Sequence, residues 1–428
     1  MLPNPLHFFI IITIFSSIFC FHAHSVTVTV TVTHWEDIQS LKQFKNSVDS
    51  DSVSPGSCLS SWDFTVDPCD SLSGEKFTCG IRCDVVISGV SRVTELTLDR
   101  AGYSGSLASS SWNLPYLQTL DLTSNFFTGS IPGSFSKLTR LQRLSLSSNS
   151  LNGSIPDSLP DSLEELFLDN NNFHGPISQT FNYLRNLNRL ELQGNQLSGE
   201  FPELSQLSNL SFVDVSNNAI SGYLPASLPG NLVDLTIRNC SLQGNIPASL
   251  VNGSVYLQVL DLSYNNLTGS LPPELFTHPS LQQLTLEHNR FRWVETPANW
   301  GRNSELIAVD LGNNEIHGFL PGFMGWMPRL SALSLENNKF TGMIPTQYAV
   351  KAVAVAEEGV APFERLLLGG NYLLGLIPGP LLRLRSGSGV TIRLGDNCLY
   401  ECPESFYFCG GGVQKSLMEC KTFTPVIP

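Results

Sequence analysis

The stretch Leu257-Gln258-Val259-Leu260-Asp261-Leu262-Ser263-Tyr264-Asn265-Asn266-Leu267-Thr268-Gly269-Ser270-Leu271-Pro272 decides the fold, because close copies of it recur along most of the chain. Its first asparagine recurs at steps of 22 to 26 residues, with one step of 33. An array with this period predicts a solenoid in which each copy forms one turn. The recurring position is occupied by Asn125, Asn149, Asn171, Asn195, Asn218, Cys240, Asn265, Asn289, Asn314, Asn338, Asn371 and Asn397.

Each part of the repeat has a physical role. Side chains alternate along a strand, so the leucines of a Leu-x-Leu segment point into the coil and the residues between them point out. Neighbouring turns then form a parallel sheet. The asparagine amide can donate and accept at the strand end, where the turning backbone would otherwise lack partners, and stacked copies are expected to form an internal amide ladder. One turn cannot bury its own leucines, so the whole stack is the folding unit.

The full pattern, L-x-x-L-x-L-x-x-N-x-L-x-G-x-I-P, runs from about Val93 to Asn397 and resembles the plant-specific class of leucine-rich repeats. The resemblance implies an α/β-type repeat solenoid, a curved right-handed coil with a parallel β-sheet on its concave face and disulfide-stapled caps at both ends. The trailing dipeptide that marks the plant class occurs at Ile131-Pro132, Ile155-Pro156, Ile246-Pro247, Leu271-Pro272, Leu320-Pro321, Ile344-Pro345 and Ile377-Pro378.

Composition narrows the class of partners. Only 14% of the 428 residues are charged, against about a quarter in an average globular protein. The formal net charge of -13 argues against binding nucleic acid or an anionic membrane through a broad basic face. A surface rich in neutral polar residues suits an extracellular protein that carries sugars.

Residues 1–25 have the pattern of a secretory signal peptide. An apolar core of about 14 residues, Phe8 to Phe21, precedes small residues at Ala23-His24-Ser25. The alternative, a membrane anchor, needs roughly 20 apolar residues. We therefore predict a soluble protein, secreted to the extracellular space or cell wall, without a membrane span in the mature chain.

Residues 26–90 are predicted to form an N-terminal cap. A helix is expected from Trp35, because Ile38, Leu41 and Phe44 recur at spacings of three. Together with Trp62, Asp67-Pro68-Cys69 and Phe77-Thr78-Cys79, this helix resembles the N-terminal cap of plant leucine-rich repeat proteins.

The rest of the chain divides into repeats and a second cap. Residues 91–397 hold about twelve repeats, with an insert at 346–362, and residues 398–428 resemble the C-terminal cap of plant receptor-like proteins. Only eight residues follow Cys420, so we expect no kinase domain. The insert has two interpretations, a ligand-recognising loop or a tolerated extra helical turn on the convex side.

Cysteines cluster at the two predicted caps, where disulfides would staple the open ends of the stack. Four cysteines allow three pairings, and proximity favours Cys58 with Cys69 and Cys79 with Cys83. Zinc is the alternative, although neither cluster has paired C-x2-C spacing. Cys240, at the asparagine position, is interpreted as a buried reduced stand-in rather than a reactive thiol. The clusters comprise Cys58, Cys69, Cys79 and Cys83, and Cys398, Cys402, Cys409 and Cys420.

The outward residues of the concave sheet form the first candidate ligand-binding surface. Strands are only ~4.8 Å apart, so side chains from successive repeats become neighbours. Phe167 and Phe212 are expected to face water, where a large aromatic gains nothing from folding unless a partner covers it. The alternative is a solvated acidic face with scattered aromatics. The proposed patch, here called the central group, comprises Phe167, Arg189, Phe212, Asp214, Asp234, Arg238, Tyr264 and His288.

A second candidate surface lies on the flank of the C-terminal half. There the residue after the repeat glycine is bulky and apolar at Phe319, Met343 and Leu376, where earlier repeats mostly have Ser, Asn or Glu. Sugar would block contacts locally, and no acceptor follows Asn266, so this half is predicted to be sugar-free. The N-glycosylation acceptors are Asn152, Asn209, Asn239, Asn252 and Asn266.

Catalysis is not expected. The carboxylates at Asp121, Asp214, Asp261 and Asp310 belong to one repeated Leu-Asp-Leu unit and share one environment, whereas acid–base chemistry needs carboxylates with distinct pKa values. The sequence contains no G-x-S-x-G, H-E-x-x-H or phosphate-loop motif. We therefore predict no catalytic residue, no cofactor and no metal site.

Two functional classes fit these features. The first is a kinase-less recognition module, similar to receptor-like proteins, which would bind a protein, peptide or glycan in plant cell-surface signalling or defence and signal through a receptor-kinase ectodomain. The second is an inhibitor of microbial wall-degrading enzymes, similar to polygalacturonase inhibitors. Twelve repeats, the insert and the acidic balance make the second a looser fit, because those enzymes act on polyanions.

Overall fold

The structure, a computed structural model, describes residues 32–69, 79–354, 360–403, 405–410 and 412–423. The predicted signal peptide lies outside the described residues. Among the helices of the described ranges, none combines the length and apolar character that crossing a bilayer requires.

The largest sheet is formed by the Leu-x-Leu segments and is called the concave sheet here. Its strands pair in parallel and in sequence order, except that the first, Ile81–Arg82, is antiparallel to the second, Glu95–Thr97. Each three-residue strand places a leucine or its equivalent inward and two residues outward, as the alternation of side chains predicts. The strands are β2 (Ile81–Arg82), β5 (Glu95–Thr97), β7 (Thr119–Asp121), β9 (Arg143–Ser145), β11 (Glu165–Phe167), β13 (Arg189–Glu191), β15 (Phe212–Asp214), β17 (Asp234–Thr236), β19 (Val259–Asp261), β21 (Gln283–Thr285), β23 (Ala308–Asp310), β25 (Ala332–Ser334), β27 (Arg365–Leu367) and β29 (Thr391–Arg393).

The segments around the repeat glycine form two further parallel sheets, together called the flank sheet. The first has nine strands: β6 (Ser104–Ser106), β8 (Phe126–Gly129), β10 (Ser150–Gly153), β12 (Asn172–Gly175), β14 (Gln196–Glu200), β16 (Ala219–Tyr223), β18 (Ser241–Gly244), β20 (Asn266–Leu271) and β22 (Arg290–Val294). The second has four: β24 (His317–Phe319), β26 (Lys339–Gly342), β28 (Tyr372–Leu376) and β30 (Cys398–Tyr400). A small cap sheet joins β1 (Val32–Thr33), β3 (Val85–Ile87) and β4 (Val90–Arg92).

Short helices complete the turns. The α-helices are α1 (Trp35–Ser47), α2 (Ser249–Asn252), α3 (Glu274–Thr277), α4 (Thr346–Val353) and α5 (Leu417–Phe423). The 3-10 helices are Ser50–Ser52, Cys58–Ser61, Leu107–Ser109, Gly133–Lys137, Gln179–Tyr183, Gly322–Trp326 and Leu381–Arg383. The predicted helix of the N-terminal cap is confirmed as α1, which buries Leu41 and Phe44.

The inward leucines form one continuous core. Leu120, Leu190, Leu260 and Leu333 are each 0% exposed and belong to a single cluster that includes residues of both caps. The solenoid prediction is therefore confirmed. Because each turn buries its leucines against its neighbours, no turn is stable alone.

The repeated asparagines bond to backbone groups rather than to one another. Asn265 Nδ2 donates to the carbonyls of Ile237 in the preceding turn and Leu262 in its own turn, at 2.7 and 3.1 Å. Its Oδ1 accepts from the N–H of Leu242 at 3.0 Å. Each buried amide therefore ties a concave strand to the flank strand of the preceding turn.

Cys240 replaces this amide with a thiol. Its Sγ lies 3.6 Å from the Val215 carbonyl oxygen and 3.7 Å from that of Arg238. Burial raises the pKa of the thiol, which keeps it protonated and supports the structural interpretation over a reactive one.

Both caps are stapled by disulfides, as predicted, but the pairing predicted from proximity is wrong. The bonds join Cys58 to Cys79 and Cys69 to Cys83, so the two loops interlock instead of closing separately. The C-terminal bonds join Cys398 to Cys420 and Cys402 to Cys409. Sequence proximity failed because the cap chain folds back between cysteines. The zinc alternative is wrong as well, since these sulfurs are bonded to each other.

A buried ion pair fastens the N-terminal cap to the repeats. Asp37 of α1 is fully buried and accepts from Arg92 Nε at 3.0 Å and Nη2 at 2.7 Å. The same carboxylate accepts from the backbone N–H of Val93 at 2.9 Å. Three donors satisfy the buried charge, which would be costly if left alone. The helical pattern gave no sign that one polar position of α1 faces inward.

The insert forms α4, so the helical interpretation is the one that the described part supports. Tyr348 is fully buried and donates through its hydroxyl to the Pro321 carbonyl at 2.9 Å. Lys351 Nζ donates to the Met327 carbonyl at 2.7 Å. Burial lowers the pKa of Lys351 to about 8. Residues 355–359 of the insert lie outside the described ranges.

Candidate functional site

The structure places the predicted central group on the outward face of the concave sheet. Glu165, Arg189, Phe212 and Asp234 stand side by side on successive strands, each in register with the next. Phe167 and Asp214 lie in the neighbouring column. Arg238, Tyr264 and His288 follow the ends of strands β17, β19 and β21 in the chain. Residues up to 121 positions apart, Phe167 and His288, thus share one face.

The first half of the central group is an arginine–aromatic cluster. The Arg189 guanidinium carbon lies 3.8 Å from the Phe212 ring centroid and 6.0 Å from that of Phe167. Arg143, which the sequence did not single out, lies 4.5 Å from the Phe167 centroid on the other side. Arg189 Nε also donates to Glu191 Oε1 at 2.6 Å. Cation–π contact and the aliphatic stems of the arginines therefore cover the rings.

The expectation that Phe167 and Phe212 are exposed is wrong. Both side chains are half-buried, because arginines on adjacent strands lie over them. The alternation of the strand correctly predicted that the rings point outward, but the covering side chain comes from another repeat. Only the lateral stacking of the strands brings it into contact.

The second half is built around Arg238. Its guanidinium lies 4.5 Å from the Tyr264 ring, and Tyr264 stacks on His288 with centroids 4.2 Å apart. Arg238 Nη1 also lies 3.6 Å from Glu287 and 3.9 Å from Asp261. The arrangement fixes an exposed row of one cation and two flat rings.

Carboxylates separate the two halves. Burial raises the pKa of Asp214, and repulsion from Glu191 and Asp261 raises it further. Burial, with repulsion from Asp214, likewise raises the pKa of Asp234. Hydrogen bonds oppose these effects, since Asp214 Oδ1 accepts from the Ser216 N–H at 2.9 Å and Asp234 Oδ1 accepts from Thr236 Oγ1 at 3.1 Å. The crowded negative charge favours a cationic group in any ligand that covers it.

A cavity of about 980 Å³ lies at the C-terminal end of the same face. Its lining includes Gly369, Gly370 and Gly395, together with Glu336 and Arg393, whose side chains are 3.9 Å apart. The sequence signal for it is the replacement of side chains by glycine after strands β27 and β29.

The second predicted surface faces solvent on the flank sheet. Phe319, Met343 and Leu376 are highly exposed and belong to successive strands β24, β26 and β28 or the residue that follows them. The five predicted sugar acceptors, Asn152, Asn209, Asn239, Asn252 and Asn266, are also exposed. Their occupancy stays a prediction.

Sequence profiles match several parts of the chain. The leucine-rich repeat profile matches residues 91–159 and 230–291, a related repeat profile matches 162–184, and the leucine-rich repeat N-terminal domain profile matches 34–84.

Solved structures give the same result. The chain is 28% identical to a TDR receptor, with a TM-score of 0.60 over 69% of this chain and 50% of that one. It is 26% identical to the plant peptide hormone receptor RGFR1 in complex with RGF2, with a TM-score of 0.62 over 76% of this chain and 51% of that one. The chain therefore spans about half the length of these receptors.

A leucine-rich repeat protein of Leptospira interrogans shares the fold, at 24% identity and a TM-score of 0.54 over 76% of this chain and 88% of that one. The repeat register, the buried asparagines, the disulfide-bonded caps and these similarities agree. The chain has the leucine-rich repeat solenoid fold with disulfide-bonded caps, and it resembles these plant receptor ectodomains in architecture.

Proposed function

We propose that the protein is a secreted, non-catalytic recognition module of plant cell-surface signalling or defence, which binds a peptide or protein ligand on its concave face and acts with a receptor-kinase ectodomain. The observation that carries this proposal is the central group, in which two arginine–aromatic clusters flank crowded carboxylates. Aromatic and arginine side chains are the residues most enriched where binding energy is concentrated. RGFR1, a structural relative, is itself a peptide hormone receptor.

The ligand we propose carries cationic groups at its centre. Burial and repulsion between carboxylates disfavour the charged forms of Asp214 and Asp234. A cation placed between the two side chains therefore relieves repulsion. Arg189 and Arg238 lie on either side and suit carboxylates or aromatic rings of the ligand. A peptide with a basic centre fits this order of charges better than a polyanionic glycan.

Capture from plant cell-wall extract by the immobilised full-length protein, followed by mass spectrometry, tests the proposal. We expect a receptor-kinase ectodomain or a basic peptide to be recovered. Inhibition of a microbial polygalacturonase on mixing would favour the inhibitor function instead.

Variants locate the binding face. Phe167→Ala and Phe212→Ala should each weaken binding of the captured partner by about tenfold or more, because each removes a ring on which arginines are ordered. Tyr183→Ala is the matched control, since Tyr183 is an exposed aromatic in a 3-10 helix outside the concave sheet. Unchanged binding by both phenylalanine variants would remove the central group from the proposal.

A further inference from the structure

The flank sheet carries an apolar row that is longer than the sequence indicated. Strand pairing places Trp293 opposite Ser270, the residue after Gly269, and Tyr400 opposite Leu376, the residue after Gly375. Phe319, Met343 and Leu376 stand five residues after the repeated asparagine of their turns, Trp293 stands four after Asn289, and Tyr400 stands three after Asn397. Each of the last five turns thus has one bulky, mainly apolar, exposed residue at or next to the end of its flank strand. These five residues, Trp293, Phe319, Met343, Leu376 and Tyr400, are called the flank row.

The flank row is one continuous surface. The Phe319 ring lies over Gly342, where an added Cβ would come within 2.5 Å of a ring carbon, and the Met343 side chain lies over Gly375 in the same way. Trp293 contacts His317 of the next strand edge-to-face, with centroids 5.2 Å apart. Strands β24, β26, β28 and β30 pair at a ~4.8 Å spacing, and the Trp293–His317 contact brings β22 against β24, so the row is about 19 Å long.

Exposure of the flank row is too large for scattered surface residues. Trp293, Phe319, Met343, Leu376 and Tyr400 are 48%, 80%, 69%, 68% and 57% exposed. At about 200 Å² for each whole side chain, the row presents roughly 650 Å² of mainly apolar surface. A standard interface takes about 800 Å² from each partner. The row by itself supplies most of that share.

The two ends of the row differ. At one end the Trp293 indole is 48% exposed. At the other, an apolar hollow of about 800 Å³ is lined by residues that include Leu376, Leu382, Tyr400 and Phe406. If two rows pair antiparallel about a two-fold axis through Met343, each Trp293 meets the hollow of the other copy and Phe319 meets Leu376.

Charges at the two ends are complementary as well. Arg292, exposed beside Trp293, and Glu401, exposed on the rim of the hollow, form no ion pair with another described residue. The same two-fold axis brings Arg292 of one copy to Glu401 of the other, at both ends of the row. A two-fold interface must be self-complementary in this way.

We infer that the partner of the flank row is a second copy of this chain, and that the protein forms an antiparallel homodimer through this surface. The inference goes beyond the proposed function, because it involves neither the concave sheet nor its ligand. Each copy keeps its concave face free in such a dimer, so the two ligand sites would be presented together.

Sedimentation velocity on the purified full-length protein tests the dimer. We expect a concentration-dependent dimer at micromolar concentration. Trp293→Ser and Leu376→Glu should each raise the dissociation constant about 30-fold or more, because they remove the projecting ring or charge the hollow. Tyr223→Ser is the matched control, since Tyr223 is an exposed aromatic after the repeat glycine of an earlier turn, and should leave the dissociation constant unchanged.

A charge exchange identifies the second copy as the partner. Arg292→Glu and Glu401→Arg alone should each raise the dissociation constant about fivefold, and the double variant should return it to within about twofold of the wild type. Both substituted positions are exposed, so this series remains decisive if a flank-row variant fails to fold. A monomer throughout the concentration range, or a dimer indifferent to Trp293→Ser and to the charge exchange, would refute the inference. Association with a different captured protein in place of self-association would do the same.

Discussion

The concave sheet and the flank sheet are built by the same turns, yet an outward phenylalanine is covered on the first and exposed on the second. Phe212 on the concave sheet is half-buried beneath Arg189, whereas Phe319 on the flank sheet is 80% exposed. On the concave sheet, long cations on the next strand reach across the ring. On the flank sheet, the next strand offers Gly342, which can only lie beneath the ring. The chemistry of the neighbouring repeat, and not the residue itself, decides whether an aromatic is covered.

The largest loss of stability should come from removing a buried asparagine whose hydrogen bonds join the concave sheet to the flank sheet. Asn338 Nδ2 donates to the carbonyls of Leu311, Leu335 and Glu336, and its Oδ1 accepts from the Ile316 N–H. Asn338→Ala leaves these buried groups unpaired and should lower the free energy of unfolding by about 3 kcal/mol. Urea denaturation measures it. The control is Asn337→Gly at the exposed adjacent position with φ 54°, which should change stability by less than about 0.5 kcal/mol.

Removing a covering arginine from the concave sheet should lower the free energy of unfolding more than removing an exposed ring from the flank sheet. Arg189→Ala uncovers Phe212 and removes the Arg189–Glu191 ion pair, and should lower the free energy of unfolding by about 1 to 2 kcal/mol. Phe319→Ala should stay within about 0.5 kcal/mol, because the ring contacts little of its own chain. Equal losses on thermal unfolding would contradict the distinction between the sheets.

The hydrogen bonding between the concave and flank sheets is weakest at Cys240, where a substitution should strengthen it. Cys240→Asn places an amide donor near the carbonyls of Val215 and Arg238 and should raise the free energy of unfolding by about 1 kcal/mol. Cys240→Ala, which adds no donor, serves as the control and should not stabilise. A loss of stability in the asparagine variant would mean that this turn cannot accommodate the amide.

The smallest expected effect is the pH dependence of stability that Asp214 of the concave sheet causes. Because the folded pKa of Asp214 is raised, its charge destabilises the fold at neutral pH, and this penalty disappears as pH falls through the folded pKa. Asp214→Asn should therefore add about 0.5 kcal/mol at pH 7 and nothing near pH 3, which is below the unfolded pKa of about 3.9. The Asn side chain can still accept from the Ser216 N–H. Thermal unfolding at both pH values is the measurement, and an undiminished gain near pH 3 would refute the electrostatic cause.

The sequence by itself determined the solenoid, its register and the outward direction of each candidate residue. The leucine spacing leaves one way to bury apolar side chains, and the two-residue alternation of a strand then assigns every neighbour to a face. The positions of Leu260, Phe212 and Phe319 followed from local rules of this kind.

Only the tertiary structure decided the disulfide pairing, the burial of Asp37 against Arg92, the covering of Phe212 by Arg189, and the placement of Trp293 and Tyr400 at the two ends of one row. Each of these depends on a contact between segments whose sequence separation carries no information about distance. Strand stacking converts a separation of some 24 residues into one step of ~4.8 Å. The length and charge of the side chain in the neighbouring repeat then decide which contacts an outward residue makes.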